Sequence, residues 1–297
     1  MPNWKDVLNE ITSENSQIDS VRRKYLKRMH DTTERNIIAY YSGWLQKPGV
    51  EQSGITDDDK NGFMVAIHQL DRSKGLDLIL HTPGGSITAT ESIVDYLHKM
   101  FCKDIRAFIP QLAMSAGTMI ACACKEICMG KQSNIGPIDP QFRGISAEGV
   151  IEEFETAVDS VKSDPGSIPI WQTIISHYHP TFLGDCKKAI DMSKDLVSNW
   201  LRKAMFFDEP DANRIIESII RNLSSHSDTK MHDRHIPAED GKRFGLKITD
   251  LETLPNDLQD IVLTIHHAYM HTFSATAAMK IVENHNGVAF INSVRNR

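Results

Sequence analysis

Short apolar runs alternate with amphipathic stretches through the first half of the chain. Four of these runs are rich in β-branched and aliphatic residues and predict strands: NIIAYYSGW (36–44), LDLILHT (76–82), DIRAFIP (104–110) and EICMG (126–130). Helical periodicity follows over residues 86–100 and 115–124. Strands that alternate with helices at this spacing predict parallel pairing, so the expected fold class is α/β with parallel strands and alternating helices.

The chain has 297 residues, enough for one large α/β domain with helical attachments. Residues 1–35 predict a helical N-terminal arm. Residues 36–250 predict the main domain, with a helical insertion at about 146–222. Residues 251–297 predict a C-terminal helix and tail.

Charge and hydropathy narrow the possible functions and location. With a net charge of -6 and no basic stripe, nucleic acid is not expected as the main partner. No apolar run reaches the roughly 20 residues that a membrane span needs, and the N-terminus lacks the apolar stretch of a signal peptide. We therefore expect a cytoplasmic protein with reduced cysteines. One basic cluster has helical spacing and predicts a solvated helix face: Arg22, Arg23, Lys24, Lys27 and Arg28.

Three groups of residues resemble metal ligands without completing a ligand set. The first, Cys122, Cys124 and Cys128, lies in or beside an apolar stretch with no second C-x-x-C, which favours small buried residues. The other two are the acidic run at 57–62 and the pair of histidines at 267 and 271. The acidic run has His68 where an EF-hand needs glutamate, which favours a helix N-terminus. The histidines share one helix face and favour an interaction surface.

Two loop motifs follow directly after predicted strands. In HTPGGS (81–86), Gly84 and Gly85 let the backbone approach a ligand closely, and the next helix aims free N–H groups at it. This construction suits an oxyanion hole, although a tight turn alone would also explain it. In AMSAG (113–117), Ser115 stands between small residues at a strand-to-helix junction, as a nucleophile does. Alone, Ser115 could also be a helix N-cap.

Together, the two motifs resemble the Clp/crotonase superfamily of serine peptidases, most closely its serine dehydrogenase proteinase branch. HTPGGSITA and, about 30 residues later, AMSAG match the family's oxyanion loop and nucleophile helix in order and spacing. QSNIGPIDPQF and HDRHIPAEDGKRFGL look like the branch's later blocks, so the resemblance covers about residues 22–246. It implies a Clp/crotonase-like core, a peptide or protein substrate and no cofactor. It also implies that Ser115 is the nucleophile, with the N–H groups of Gly85 and Ala116 as the oxyanion hole.

The resemblance also implies the partners of the nucleophile. Clp-type proteases have I-H-Q-P where this chain has Ile138-Asp139-Pro140-Gln141, so their histidine is missing here. The serine dehydrogenase proteinases use the order Ser, Asp, His, which implies Asp139 and His232, with His235 as the reserve. Histidine suits this role because its pKa lies near neutrality.

Three alternatives remain open at this point. A Ser–Lys dyad occurs in the same superfamily, and Lys131 and Lys162 are its candidates here, although both sit in segments typical of a surface. An acyl-CoA enzyme of the crotonase type would use the oxyanion hole without a serine nucleophile. An inactive oligomeric scaffold would use neither. A reaction with a fluorophosphonate probe separates the peptidase from the last two.

A homo-oligomer is also expected, because two helices present apolar stripes that a single core has limited room to cover. The C-terminal stripe comprises Leu258, Ile261, Val262, Ile265, Tyr269 and Phe273, and the N-terminal stripe comprises Val21, Tyr25, Leu26 and Met29. Light scattering at micromolar concentration should report a multiple of the chain mass. A strictly monomeric, active protein would contradict the prediction.

Overall fold

The computed structural model describes residues 4–13, 19–142, 144–224 and 234–294. Its strands are β1 (Asn36–Ser42), β2 (Leu76–His81), β3 (Ile105–Ile109), β4 (Leu112–Ala113), β5 (Glu126–Met129), β6 (Asn134–Ile135), β7 (Gln141–Phe142), β8 (Ile145–Ser146), β9 (Ile236–Pro237), β10 (Ile248–Asp250), β11 (Ala278–Asn284) and β12 (Ala289–Ser293). Its helices are α1 (Trp4–Ser13), α2 (Asp19–Thr33), α3 (Asp58–Ile67), α4 (Ile87–Phe101), α5 (Ala116–Cys122), α6 (Ala147–Ser163), α7 (Ile168–Ile175), α8 (Phe182–Lys203), α9 (Ala212–Ser224), α10 (Ala238–Phe244) and α11 (Leu258–Ala275).

The central sheet has seven strands in the order β10-β5-β3-β2-β1-β11-β12. Strands β1, β2, β3, β5 and β10 are parallel, which confirms the predicted α/β class with alternating helices. Strand β11 lies antiparallel to β1, and β12 lies antiparallel to β11. The sequence pattern does not predict these last two strands. Strand β11 reads AMKIVEN, and its buried Lys280 and Glu283 interrupt the apolar pattern that marks a strand.

Each face of the sheet carries its own hydrophobic core. Alternate residues of the strands point to opposite faces, so Tyr41 and Ile79 join one core while Leu78 and Leu80 join the other. Helices α2 and α11 cover the first face, and α3, α4 and α5 cover the second. Helices α8 and α9 extend the second core, and α6 packs on α8 around a smaller apolar cluster.

The two apolar stripes of the terminal helices are buried within one chain. Helix α2 packs against α11, and side chains of both stripes lie in the core on that face of the sheet. Met29 is fully buried and Phe273 is 1% exposed. The stripes therefore give no support for a subunit contact, and the homo-oligomer stays a prediction.

The basic cluster of α2 is not the fully solvated face that its spacing predicts. Arg22 is completely buried and forms an ion pair with Glu283 of β11. The hydroxyl of Tyr269 donates to the same carboxylate at 3.1 Å. The prediction is wrong for Arg22 because a partner more than 200 residues away in the chain satisfies its charge, which helical spacing alone cannot indicate. Lys24 and Lys27 are exposed, as the spacing predicts.

The residues that resemble metal ligands have structural environments. Cys122, Cys124 and Cys128 are buried free thiols, and burial raises the pKa of Cys122 to about 12. The face of His267 and His271 is covered by α1, where the Trp4 ring lies 4.0 Å from the His271 ring. Across the described ranges, no cluster of three or more potential ligands is arranged for a metal ion, and no helix could cross a membrane.

Acidification should destabilise the fold through a buried histidine on the α11 side of the sheet. Burial, with a smaller contribution from His267, lowers the pKa of His266 to about 3. The unfolded chain binds a proton at this residue near pH 6.5, so stability falls as the pH drops from there toward 3. We expect His266 to account for a loss of about 1.4 kcal/mol per pH unit between pH 6 and 4.

Urea unfolding at several pH values measures this dependence. His266→Phe should flatten the slope of unfolding free energy against pH, whereas His177→Ala, at an exposed histidine, should leave it unchanged. Equal slopes in the parent and in His266→Phe would contradict the assignment.

Candidate active site

Ser115 lies at a sharp turn between β4 and α5. Its backbone has φ 50° and ψ −116°, a conformation that costs about 1–3 kcal/mol for a residue with a side chain. Two interactions fix the turn. The N–H of Gly117 donates to the Met114 carbonyl at 2.7 Å, and the Thr118 hydroxyl lies 2.9 Å from the Ala113 carbonyl. A strained serine between a strand and a helix is the backbone context of a nucleophile elbow.

Ser115 occupies the N-cap position of α5, but its side chain makes no capping hydrogen bond. The hydroxyl therefore does not serve the helix end, which would be its ordinary structural role. The residue is partly exposed, so solvent or a substrate can reach it.

The PGG loop (residues 82–86) joins β2 to α4 and is held from one side by Ile55. The Ile55 N–H donates to the Gly84 carbonyl at 2.7 Å, and the Ser86 N–H donates to the Ile55 carbonyl at 2.9 Å. Gly84 and Gly85 have φ of +99° and +152°. A side chain at Gly85 would collide with the backbone of Ile55, so this close approach requires glycine.

The PGG loop lies directly against the serine turn. A Cβ atom on Gly84 would be 2.7 Å from the Ser115 Cβ and 3.0 Å from the Ala116 nitrogen. The Met114 N–H donates to the Thr82 carbonyl at 3.0 Å, which connects the beginning of the loop to the residue before the serine. The structure therefore brings together the two motifs that stand about 30 residues apart in the sequence.

Two backbone N–H groups border the same spot. The bridge to Ile55 uses the Gly84 carbonyl and the Ser86 N–H, so the N–H of Gly85 points to the opposite side of the loop. Ala116 is the first residue of α5, where the helix leaves the N–H without an internal acceptor. In the part of the chain that the structure describes, neither N–H donates to a protein group. The arrangement can accept an oxyanion.

Asp139 is 1% exposed and lies on a firmly anchored segment. The N–H of Ile138 donates to the Leu223 carbonyl, and the Ser193 hydroxyl donates to the Ile138 carbonyl, both at 2.8 Å. Three residues earlier, Gly136 passes so close to the serine turn that a Cβ there would be 3.2 Å from the Ser115 nitrogen. The segment thus connects the backbone beside Ser115 to the end of α9.

His232 lies in residues 225–233, outside the described residues. The described chain on both sides of this segment is tied to the site. Leu223 bonds to Ile138 next to Asp139, and β9 pairs with β6, which pairs with β4 immediately before Ser115. His235, the reserve candidate, is described and exposed.

The two candidate lysines are exposed, and neither has a recorded contact with Ser115. Lys131 lies on a turn where its backbone N–H donates to Glu252 at 2.9 Å. The side chain of Lys162 is 71% exposed and pairs with Asp159. A lysine base must lose its hydration shell to give up its proton at neutral pH, and nothing removes water from these two.

His81, the first residue of HTPGGS, faces away from this chemistry. Its ring is completely buried among Tyr41, Trp44 and His266 on the α11 side of the sheet. Burial, with a further contribution from His266, holds the pKa of His81 well below its usual value, so it remains neutral. The sequence motif gives no indication of this, because it does not show which way a side chain turns at the end of a strand.

The comparison with known families agrees with the fold and the motifs. The chain belongs to the family of ClpP-like SDH-type serine proteinases, whose model matches residues 14–270. Two uncharacterized proteins of Methanocaldococcus jannaschii, MJ0137 and MJ1495, are each 30% identical over 195 and 194 residues. These alignments cover 65% of this chain and 60% and 59% of the relatives, so the chain spans less than two thirds of their length. The suspected family is thereby confirmed.

Proposed function

We propose that this protein is a serine peptidase with Ser115 as its nucleophile. One observation carries the proposal: a strained, uncapped serine at a strand-to-helix turn lies in contact with a loop of two glycines. Neither feature is needed to build the fold, and strain of this kind concentrates at functional sites. Membership of a serine proteinase family supports the same conclusion.

The proposed reaction passes through an acyl-enzyme. The Ser115 Oγ attacks the carbonyl carbon of a peptide bond, and its proton moves to a base. The N–H groups of Gly85 and Ala116 stabilise the negative charge that develops on the carbonyl oxygen. The base then gives the proton to the leaving amine as the C–N bond breaks, and water hydrolyses the ester. No cofactor takes part in these steps.

We assign the base to His232 and its orientation to Asp139. The support for Asp139 is its burial on a segment that begins beside Ser115. The support for His232 is the attachment of the chain at Leu223 and Ile236 to the strands and loops around the serine. Exposure of Lys131 and Lys162 disfavours the lysine alternative.

A fluorophosphonate probe tests the proposal, because it phosphonylates only an activated serine. We expect the purified full chain to be labelled and mass mapping to place the adduct on Ser115. Labelling should be faster near pH 8 than near pH 5, where a histidine base is protonated. An acyl-CoA enzyme or an inactive scaffold of the same fold would remain unlabelled, and an adduct elsewhere would overturn the assignment of Ser115.

A further inference from the structure

A buried ion pair lies behind the PGG loop, on the side away from Ser115. The Lys280 Nζ of β11 lies 2.8 Å from the Asp59 Oδ2 of α3, and both residues are less than 5% exposed. Lys280 falls beyond residues 14–270, the range that matches the family model. The pair is costly to bury, so the groups around it should show what it provides.

The pair binds backbone groups of an irregular segment, residues 54–56, which we call the support segment. Lys280 donates to the Gly54 carbonyl at 3.0 Å, and the Asp59 carboxylate accepts from the Thr56 N–H at 2.7 Å. The Tyr40 hydroxyl donates to the same carboxylate oxygen at 3.1 Å. A charged donor and a charged acceptor therefore fix both ends of the support segment.

The support segment in turn fixes the PGG loop. Its central residue, Ile55, makes the two hydrogen bonds to Gly84 and Ser86, and the Gly85 backbone lies against it without space for a side chain. The opposite side of the loop touches Ser115 through Gly84. The PGG loop is thus held between Ile55 and the nucleophile, and a shift of Ile55 moves the Gly85 N–H relative to Ser115.

We propose that Lys280 and Asp59 are positioning residues, which hold the Gly85 N–H where the oxyanion forms. The inference rests on the proposed function of the Ser115 site. Neither residue touches the substrate. Their effect is geometric: a displacement of about 1 Å in such a site costs on the order of 10²-fold in rate. Because the oxyanion exists only in the transition state, the loss should fall on kcat more than on KM.

The test replaces the ion pair without leaving a buried charge. In the double variant Asp59→Leu/Lys280→Met, apolar side chains of similar size fill the space, a change that proteins often tolerate. The bonds to Gly54 and Thr56 are lost. We expect kcat on a peptide substrate to fall roughly 10- to 100-fold while KM changes less than threefold. Affinity for a peptide boronic acid, which binds as a tetrahedral adduct, should fall by the same factor as kcat.

The matched control removes another buried ion pair from the same strand. Arg22→Met/Glu283→Leu alters β11 three residues away on the other face of the sheet, where no contact with the support segment exists among the described residues. It should change the free energy of unfolding as the first variant does, yet keep kcat within about threefold of the parent. As a milder second variant, Ser42→Ala removes the 2.7 Å bond from the Ser42 hydroxyl to the Ser53 carbonyl, at the start of the support segment, and should lower kcat several-fold.

The outcomes separate this inference from the proposed function. A parent protein that the fluorophosphonate does not label overturns the peptidase function, and this inference with it. A labelled parent combined with unchanged kcat in Asp59→Leu/Lys280→Met overturns the positioning role alone. Equal losses of kcat in that variant and in the Arg22/Glu283 control would also overturn it, because the loss would then follow stability and not the loop.

Discussion

Replacement of Ser115 by alanine should abolish fluorophosphonate labelling and lower kcat for peptide hydrolysis by about 10⁶-fold, to the level left by the oxyanion hole and binding. Alanine deletes only the Oγ and keeps the backbone strained, so the fold should persist. The free energy of unfolding should stay within about 1 kcal/mol of the parent value, since Ser115 makes no capping bond. Circular dichroism and urea unfolding verify the fold, and a continuous peptide assay measures the rate.

Ser86 provides the matched control for this variant. It is a serine of the PGG loop, and its hydroxyl caps α4 by accepting the Ala89 N–H at 3.2 Å. Ser86→Ala should therefore lose about 1 kcal/mol of stability while keeping its reactivity with the probe. Parent-level turnover in Ser115→Ala would show that this serine is not the nucleophile.

Loss of Asp139 or His232 should have the second-largest effect. Asp139→Asn and His232→Ala should each lower kcat by about 10³-fold or more, and the double variant little further, because members of a triad act as a unit. The pH profile should also change. The parent should lose kcat/KM as the pH falls through the range near neutrality where histidine titrates, and His232→Ala should lack that inflection. Added imidazole should restore part of the activity of His232→Ala.

Three further variants decide between the candidate bases. His235→Ala, Lys131→Met and Lys162→Met change exposed residues and should retain parent activity. Full activity in His232→Ala together with loss in His235→Ala would move the base three residues along the chain. Loss confined to Lys131→Met or Lys162→Met would establish the lysine dyad.

The sequence predicts the parts of the fold that follow simple periodicity. The apolar runs 76–82 and 104–110 are buried central strands, and such strands have few polar residues to interrupt the pattern. Strand β11 escapes prediction because its Lys280 and Glu283 look like surface residues. Their partners, Asp59 and Arg22, lie more than 200 residues earlier in the chain, so a local pattern cannot reveal them.

The candidate site divides in the same way. The motifs around Gly84 and Ser115 are local, and their contact in the structure follows from two neighbouring parallel strands. Ile55 belongs to no motif, since only its backbone contacts the PGG loop and any residue type supplies that. Asp59 has a local interpretation as the acid of a helix N-terminus. It does begin α3, but its burial with Lys280 could not be predicted from that position.

The pairing of β1 with β11 sets an order of assembly during synthesis. Ile38 pairs with Asn284, so the first strand of the sheet waits for almost the last strand of the chain to leave the ribosome. Until then β1 keeps one edge without its neighbour, and Asp59 has no ammonium group to neutralise it. The parallel strands can pair while translation continues, but the support behind the PGG loop cannot. A nascent chain of this protein therefore carries its serine long before it carries the residues that hold the loop beside that serine.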